Sequence, residues 1–363
     1  MSGQHKGLGM RSSIKTILKA AIGTAAVMGF ALSPASAAEK KDFKVAWSIY
    51  VGWMPWGYAA DSGIVKKWAD KYGINIEVKQ FNDYVESINQ YTAGSFDSVT
   101  VTNMDALSIP AAGGVDTTAV IVGDFSNGND AVILKNKDKL ADIKGQNVNL
   151  VEFSVSHYLL ARALPTVGLA EKDLKVVNTS DADMAAAYKT ADVTAVVTWK
   201  PIVSTILESP DAHKVFDSSQ IPGEIIDLMV VNTAVLKDNP KFGKALVGIW
   251  YETLATMKDG TTSKEAMAKA SGTDLKGFDE QLATTKLFSE PKDAVAFATS
   301  GDLKKTTELV SKFLFEKSLL GKDAKSEGAI GVEFPDKTVF GDKANVKFRY
   351  DATYMKEAEE GKL

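Results

Sequence analysis

Aromatic side chains are concentrated early in the chain, where four of the six tryptophans lie between positions 47 and 68. The apolar run over residues 45–49 predicts a buried strand. Candidate site residues stand at or just beyond its end: Ser48, Tyr50, Trp53 and Trp56. Aromatic faces in this position can form walls for a flat or cationic ligand. Packing in the hydrophobic core is the alternative for each of them.

A second aromatic candidate, Trp199, follows the strand predicted over residues 193–198. Ligands of open α/β sheets bind outside the carboxyl ends of the strands, so residues directly after a strand are the first to consider. Trp199 is therefore either the wall opposite the first aromatic group or a packing residue. The two interpretations are equally supported by the sequence.

Polar and acidic side chains follow other predicted strands. Asn103 and Asp105 follow the strand over 97–101, and both also suit the cap and first turn of a helix. The remaining acidic candidates lie at two chain crossings and could equally be solvated: Asp124, Asp130 and Asp227. Carboxylates beside aromatic faces suit guanidinium, which has planar N–H donors and a delocalised charge. Urea is its neutral isostere.

Glu152 and Ser154 lie between the strand predicted over 148–151 and the helix predicted over 154–164. A carboxylate at this position repels an anion. If Glu152 points into the cleft, it binds a cation or an N–H donor, and this is the interpretation that we favour. Alternatively, Glu152 caps the helix and offsets its dipole. Arginine is nearly absent from the candidate loops, although a tight sulfonate or phosphate site usually has an Arg fork or free helix-end amides.

The composition argues against catalysis. The chain has no cysteine and three histidines, and it lacks the G-x-S-x-G, H-E-x-x-H, Walker A and dinucleotide-binding patterns. Zinc sites, thiol nucleophiles and a Ser-His-Asp hydrolase are therefore disfavoured. We expect a binding protein without metal or cofactor rather than an enzyme.

The N-terminal segment has the order of a secretory signal peptide. Four basic residues precede an apolar run over 20–32, and a small-x-small pattern follows at Ala35-Ser36-Ala37. Cleavage there removes four of the 42 basic residues and none of the 46 acidic ones, so the mature balance is 38 minus 46, or −8. This acidic charge argues against nucleic-acid binding. The expected location is the periplasm.

Apolar runs and helical patterns alternate along the rest of the chain, which predicts α/β lobes with parallel sheets. A polar, linker-like stretch at 124–130 and a second short crossing at 228–232 divide the pattern. We therefore predict a signal peptide (1–37), one lobe from residues 38–127 and 229–363, and another from 128–228. Residues after 234 are predicted to be mostly helical, with a loose tail from Lys356. Two lobes joined by two crossings can close around a ligand.

The segments that follow the strands resemble the substrate-binding proteins of ABC importers, in the nitrate/taurine/sulfonate family. The resemblance rests on their order: 45–50, 94–97, 101–103, 156–160 and 348–351. It implies the two-lobed periplasmic-binding-protein fold (type II) with a two-crossing hinge. Within the family, the chain is similar to the branch associated with urea carboxylase, whose proposed substrates are urea and guanidine.

In that family, small residues open the helix after residue 151, and its amides hold the ligand's sulfonate, carboxylate or nitrate. This chain departs from the pattern, since it has Glu152 and Phe153 there. We therefore expect a monomer that captures guanidinium or urea and delivers it to a permease served by a separate ATPase. The alternative is a small anion or zwitterion such as taurine, an alkanesulfonate or nitrate. An enzyme of the same shape and a structural module are the other classes.

Overall fold

The computed structural model describes residues 40–363, and the predicted signal peptide lies outside this range. Fourteen strands run through the described chain: β1 (Asp42–Ser48), β2 (Asn75–Phe81), β3 (Ser98–Thr102), β4 (Thr117–Ser126), β5 (Ala131–Lys135), β6 (Asn147–Leu150), β7 (Lys175–Asn178), β8 (Ala195–Thr198), β9 (Ala212–Asp217), β10 (Ile226–Asn232), β11 (Thr285–Leu287), β12 (Gly331–Glu333), β13 (Val339–Phe340) and β14 (Val346–Tyr350).

Helices cover these strands. The α-helices of the described chain are α1 (Met54–Asp61), α2 (Ile64–Tyr72), α3 (Tyr84–Thr92), α4 (Asn103–Ala106), α5 (Val155–Ala163), α6 (Asp181–Tyr188), α7 (Ile202–Leu207), α8 (Thr233–Asp238), α9 (Pro240–Asp259), α10 (Thr262–Ala270), α11 (Leu275–Leu282), α12 (Pro291–Ala298), α13 (Gly301–Glu316) and α14 (Thr353–Glu359). The single helix predicted over 55–72 is two helices, because Gly63 adopts a positive φ of 84° between them.

The strands form two sheets. A nine-stranded sheet has the order β13-β12-β14-β4-β10-β3-β1-β2, with β11 also paired to β4, and a five-stranded sheet has the order β7-β6-β8-β5-β9. We call the elements of the first sheet the large lobe (residues 40–126 and 226–363) and those of the second the small lobe (131–217). The chain crosses between them at residues 127–130 and 218–225.

Both sheets are mixed rather than parallel as predicted. β1 pairs in parallel with β2 and β3, but β10 runs antiparallel to β3 and β4. In the small lobe, β5 likewise runs antiparallel to β8. The reason is that β5 and β10 each enter a lobe directly from a crossing. They therefore begin at the cleft, where their neighbours end.

The second crossing lies earlier than predicted. Residues 228–232 belong to β10, whose pairing with β3 and β4 continues through Val231. The predicted boundary at 228/229 therefore cuts a strand of the large lobe. The strand predicted from the apolar run is present. The lobe to which it belongs depends on the sheet that it joins, and this depends on pairing with residues far away in the chain.

The C-terminal third contains strands that the helical prediction missed. β12, β13 and β14 have two to five residues each, and β14 joins the large sheet by pairing with β4. Such short strands exist only through pairing with distant chain, so periodicity does not show them. The tail predicted to be loose from Lys356 is helical over residues 356–359, which belong to α14; this helix buries Tyr354 and Met355 just before the tail.

Glycine at position 57 allows α1 to approach β1. A Cβ at Gly57 would lie 2.7 Å from the ring of Trp47, which is buried in the core. We expect Gly57→Ala to destabilise the protein by about 1–3 kcal/mol through overpacking. Thermal unfolding of the purified variant measures this effect.

Gly301→Ala is the matched control. Gly301 begins α13, and a Cβ there would meet no atom within 4 Å. This variant should change the free energy of unfolding by no more than about 0.5 kcal/mol. Equal melting temperatures for the two variants would contradict the packing argument.

Candidate ligand-binding site

A small cavity lies between the lobes. Its empty space of about 270 Å³ includes space that is open to solvent, so the enclosed part is smaller and suits only a small ligand. Residues from both lobes and from the crossings line it: Tyr50, Trp53, Tyr84, Thr102, Asp130, Val155, Trp199, Ile225 and Asp227.

The strand directions explain why these residues meet. Asp227, near the start of β10, is paired with Thr102 at the end of β3 and with Asp124 near the end of β4. In the small lobe, Ala131 at the start of β5 is paired with Thr198 at the end of β8. Trp199 and Asp130 are the next residues beyond this pair, so they face the same cleft from the other side.

Four aromatic rings form a continuous wall. Tyr50 and Trp53 meet edge to face with 5.1 Å between ring centroids, Trp53 lies 5.7 Å from Tyr84, and Tyr84 lies 5.5 Å from Trp199. Each ring is at most 4% exposed. Trp199 Nε1 also donates to the carbonyl of Ile49 at 3.2 Å, which joins the two lobes. The cavity is therefore shielded from water by π-faces.

The carboxyl groups of Asp124 and Asp227 form a pair at the cavity end of strands β4 and β10. Tyr50 Oη donates to Asp124 Oδ1 at 2.8 Å, and the side chains of Asp124 and Asp227 are hydrogen-bonded to each other. Burial raises the pKa of Asp124 to about 6, and burial with the adjacent Asp124 charge raises the pKa of Asp227 well above its ordinary value. Two like charges this close resist joint ionisation, so the pair holds a proton unless a ligand supplies a donor.

Asp130 lies in the first crossing and is 3% exposed. Ser126 Oγ donates to Asp130 Oδ2 at 2.5 Å, and Ser126 Oγ also lies 2.6 Å from Ser218 Oγ of the second crossing. Burial raises the pKa of Asp130 to about 7, and the charges of Asp124 and Asp105 add to the effect. Ser126 thus links Asp130, which lines the cavity, to Ser218 of the second crossing.

Asp105 lies behind the aromatic wall and is fully buried. Its Oδ2 accepts from Tyr84 Oη at 2.8 Å, from Thr102 Oγ1 at 2.9 Å and from the amide of Val155 at 3.4 Å. Its Oδ1 has no partner within residues 40–363. Burial raises the pKa of Asp105 to about 6, against the opposing effect of these hydrogen bonds. Asp105 therefore remains largely ionised at neutral pH.

The amides at the start of α5 are all bonded inside the protein. Their acceptors, from residue 152 to residue 157, are Asn178 Oδ1, His157 Nδ1, the Val151 carbonyl, Asp105 Oδ2, Ser154 Oγ and the Ser154 carbonyl. A helix start commonly binds anions because its first amides lack partners. Here those amides have partners already, so this helix end offers no free donor.

Five of the predicted site residues neither line the cavity nor bond to side chains that line it. Trp56 stacks on Trp250 in the core, and Ser48 is buried at the end of β1. Asn103 instead bonds the Glu224 carbonyl and the Ile226 amide.

The other two belong to the start of α5. Ser154 is the N-cap of α5, and its Oγ accepts the Ser156 amide. Glu152 is only half-buried and lies outside the lining residues. The remaining predicted residues line the cavity or bond to side chains that line it: Tyr50, Trp53, Asp105, Asp124, Asp130, Trp199 and Asp227.

Sequence reasoning missed Tyr84, Thr102, Val155 and Ile225. Tyr84 follows β2 as the first residue of α3, so the rule applied to the other strands would have selected it. Val155 and Ile225 are apolar residues that ordinarily indicate core. Nothing in their sequence context distinguishes a cavity wall from packing.

The two lobes contact each other beside Tyr84, which lines the cavity. Ser180 Oγ of the small lobe donates to Asp83 Oδ2 at 2.6 Å, and the Tyr84 amide donates to Asp181 Oδ1 at 3.1 Å. Asp83 and Ser180 are also the N-caps of α3 and α6, so the starts of these two helices cap each other. The structure therefore represents a closed arrangement of the lobes.

Two other features bear on function. Over residues 40–363, no group of three or more His, Cys, Asp or Glu side chains has an arrangement that could hold a metal ion. In the same range, no helix combines the length and apolar character that crossing a bilayer would require.

Solved structures share this architecture. The alkanesulfonate-binding protein of Xanthomonas axonopodis pv. citri, solved with MOPS bound, matches with a TM-score of 0.66 at 17% identity, over 79% of this chain and 96% of that one. The periplasmic nitrate-binding protein of Synechocystis PCC 6803 matches with a TM-score of 0.57 at 12% identity, over 90% and 99%. The chain therefore has the two-lobed fold of periplasmic binding proteins, which confirms the predicted fold class.

Residues 44–271, more than half of the chain, match the NMT1-like family, and the chain belongs to this family. A Brucella abortus (strain 2308) protein, named provisionally as a binding protein, is 24% identical over 187 residues, which are 50% of this chain and 57% of that protein. The taurine-binding periplasmic protein of Escherichia coli (strain K12) is 21% identical over 183 residues, 49% and 56% of the two chains. The match thus spans little more than half the length of these relatives.

The raised pKa of Asp130 gives a pH prediction. A carboxyl whose pKa is raised by folding stabilises the fold below its unfolded pKa, and this contribution is lost as pH rises through about 7. Between pH 5 and pH 8, we expect the ligand-free wild type to lose about 2 kcal/mol relative to Asp130→Asn. Thermal unfolding across this pH range measures the difference. Parallel profiles for the two proteins would show that Asp130 ionises normally.

Proposed function

We propose that this protein is the ligand-binding subunit of an ABC importer and that its ligand is a small planar nitrogen compound, guanidinium first and urea second. The observation that carries the ligand class is the charge around the cavity. Four buried aspartates line it or bond to its lining: Asp105, Asp124, Asp130 and Asp227. Within the described residues, none of the lining side chains is basic. A cationic ligand supplies the missing counter-charge.

The arrangement of donors argues against an anion. Both arginines of the described chain are engaged elsewhere, Arg162 with Glu224 and Arg349 with Asp116. The amides of α5 have protein acceptors, as described above. An anion entering this cavity would lose its hydration and meet carboxylates instead of donors, which is costly.

The carboxyl groups that line the cavity favour a ligand with N–H groups. Asp130 and Asp227 both line it, and both are buried. Guanidinium presents N–H donors in its plane and π-faces above and below it, which fits carboxylates at the edge and rings such as Trp53 at the faces. A quaternary ammonium ion would satisfy the rings but donate no hydrogen bond to these carboxyl groups.

Urea has nearly the same outline and also donates N–H bonds. It lacks the charge, and hydrogen bonds between ionised partners are roughly twice as strong as neutral ones. We therefore rank guanidinium above urea. The small volume of the cavity is consistent with either.

The family and the fold favour transport rather than catalysis. The open lobes take up the ligand, closure buries it, and the closed form docks on a membrane permease that a separate ATPase drives. Closure of this kind is a hinge motion about the two crossings. The protein acts as a monomer in the periplasm, in agreement with the signal peptide predicted from the sequence.

The alternative ligand is a small anion or zwitterion. It is favoured by the names of the relatives, which include a taurine-binding protein and an alkanesulfonate-binding protein. These proteins share 21% and 17% identity with this chain, so their ligands do not transfer by similarity alone.

Titration calorimetry distinguishes the two classes of ligand. The protein from residue 38 onward, stripped of carried-over ligand, is titrated with guanidinium, urea, taurine and nitrate at constant ionic strength and far below denaturing concentrations. We expect guanidinium to bind in the micromolar range and more tightly than urea. Binding of taurine or nitrate without guanidinium would overturn the proposed ligand class.

The pH dependence provides a second test. Protons compete with a cation for Asp124 and Asp130, whose pKa values burial raises to about 6 and about 7. Guanidinium affinity should therefore rise between pH 5 and pH 8, by up to about tenfold per pH unit for each proton displaced. Calorimetry at several pH values measures this trend. An anionic ligand would give the opposite trend.

A matched pair of variants locates the site. Asp227→Asn removes a carboxylate that lines the cavity, and we expect it to weaken guanidinium binding by about tenfold or more. Glu152→Gln makes the same chemical change at a half-exposed position outside the cavity, and it should leave the affinity unchanged. If Glu152→Gln loses binding and Asp227→Asn does not, the ligand lies at the start of α5 instead.

A further inference from the structure

Asp105 connects the two lobes through charge. It belongs to the first turn of α4 in the large lobe, yet its Oδ2 accepts the amide of Val155, the first residue of α5 in the small lobe. Tyr84 and Thr102, which donate to the same oxygen, both line the cavity. The carboxylate is therefore one side chain away from the ligand space and also bonded to a helix start.

A helix start of this kind is a general anion site, because its amides and the helix dipole both favour negative charge. In the described chain, the acceptors of the α5 amides from residue 152 to residue 157 are neutral except for Asp105. The charge that the helix end attracts is thus provided by the protein. A ligand anion would have to displace a buried carboxylate to reach it.

We propose that Asp105 sets the charge selectivity of the site: its carboxylate occupies the amide end of α5, which closes that end to anions and leaves the cavity selective for cations. The proposal rests on the proposed function and names a determinant of its specificity. Asp105 is a positioning residue, since it acts on the ligand through charge and through Tyr84 and Thr102.

A purely structural role for Asp105 predicts a different geometry. As the third residue of α4, it donates its own amide to Thr102 Oγ1, which is ordinary capping. Capping of α4 does not require its carboxylate to reach a helix of the other lobe. A role in selectivity accounts for this contact between the lobes.

The test compares two ligands of the same shape. The ratio of the urea Kd to the guanidinium Kd is measured by calorimetry at pH 8 and constant ionic strength, for the wild type and for Asp105→Asn. Removing one buried charge should lower this ratio by about tenfold or more, because it weakens cation binding and leaves neutral urea nearly unaffected. A structural defect would weaken both ligands alike, so an unchanged ratio overturns the proposal.

Glu152→Gln is the control, since it removes a carboxylate at the start of the same helix but outside the cavity. Its ratio should equal that of the wild type. A fall as large as that of Asp105→Asn would mean that any charge near α5 acts equally, and this too would overturn the assignment to Asp105.

If Asp105→Asn does not fold, a competition experiment on the wild type tests the proposal. Nitrate should not compete with guanidinium when chloride keeps the ionic strength constant, because the α5 amides are occupied. Competition by nitrate overturns the proposal while the proposed function stands. Failure of the wild type to bind either guanidinium or urea overturns the proposed function and this proposal with it.

Discussion

Negative charge buried without a protein counter-charge is the constraint on which the site depends. Four aspartates lie at or directly behind one cavity, each at most 4% exposed. Burying a carboxylate is costly unless it is bonded, paired or protonated. The protein supplies tyrosine and serine hydroxyls to three of them, and burial raises all four pKa values. The negative charge that these hydrogen bonds and protons leave uncompensated is the charge that a ligand can balance.

The topology brings these groups together. A strand that enters a lobe from a crossing begins at the cleft, while the strands beside it end there. β10 therefore places Asp227 between Thr102 and Asp124, and β5 places Asp130 beside the end of β8. The antiparallel strands β10 and β5 thus bring acidic residues from distant parts of the chain to one cavity.

Under the proposed function, the same fold serves ligands of opposite charge. Structures with this architecture include proteins named for alkanesulfonate and nitrate. In this chain, the start of α5 is bonded within the protein, and Asp105 supplies its negative charge. The sequence departure at Glu152 lies at this same helix end. The carboxylate that reaches its first amide, however, comes from another lobe.

The sequence by itself determined the alternation of strands and helices, the positions that follow strand ends, and the scarcity of arginine near them, because these depend on local periodicity and composition. The tertiary structure alone decided which candidates face the cavity. Trp53 and Trp56 are three residues apart on adjoining turns, yet one lines the cavity and the other stacks on Trp250. Strand register and helix rotation set such directions through long-range packing, which a single sequence does not display.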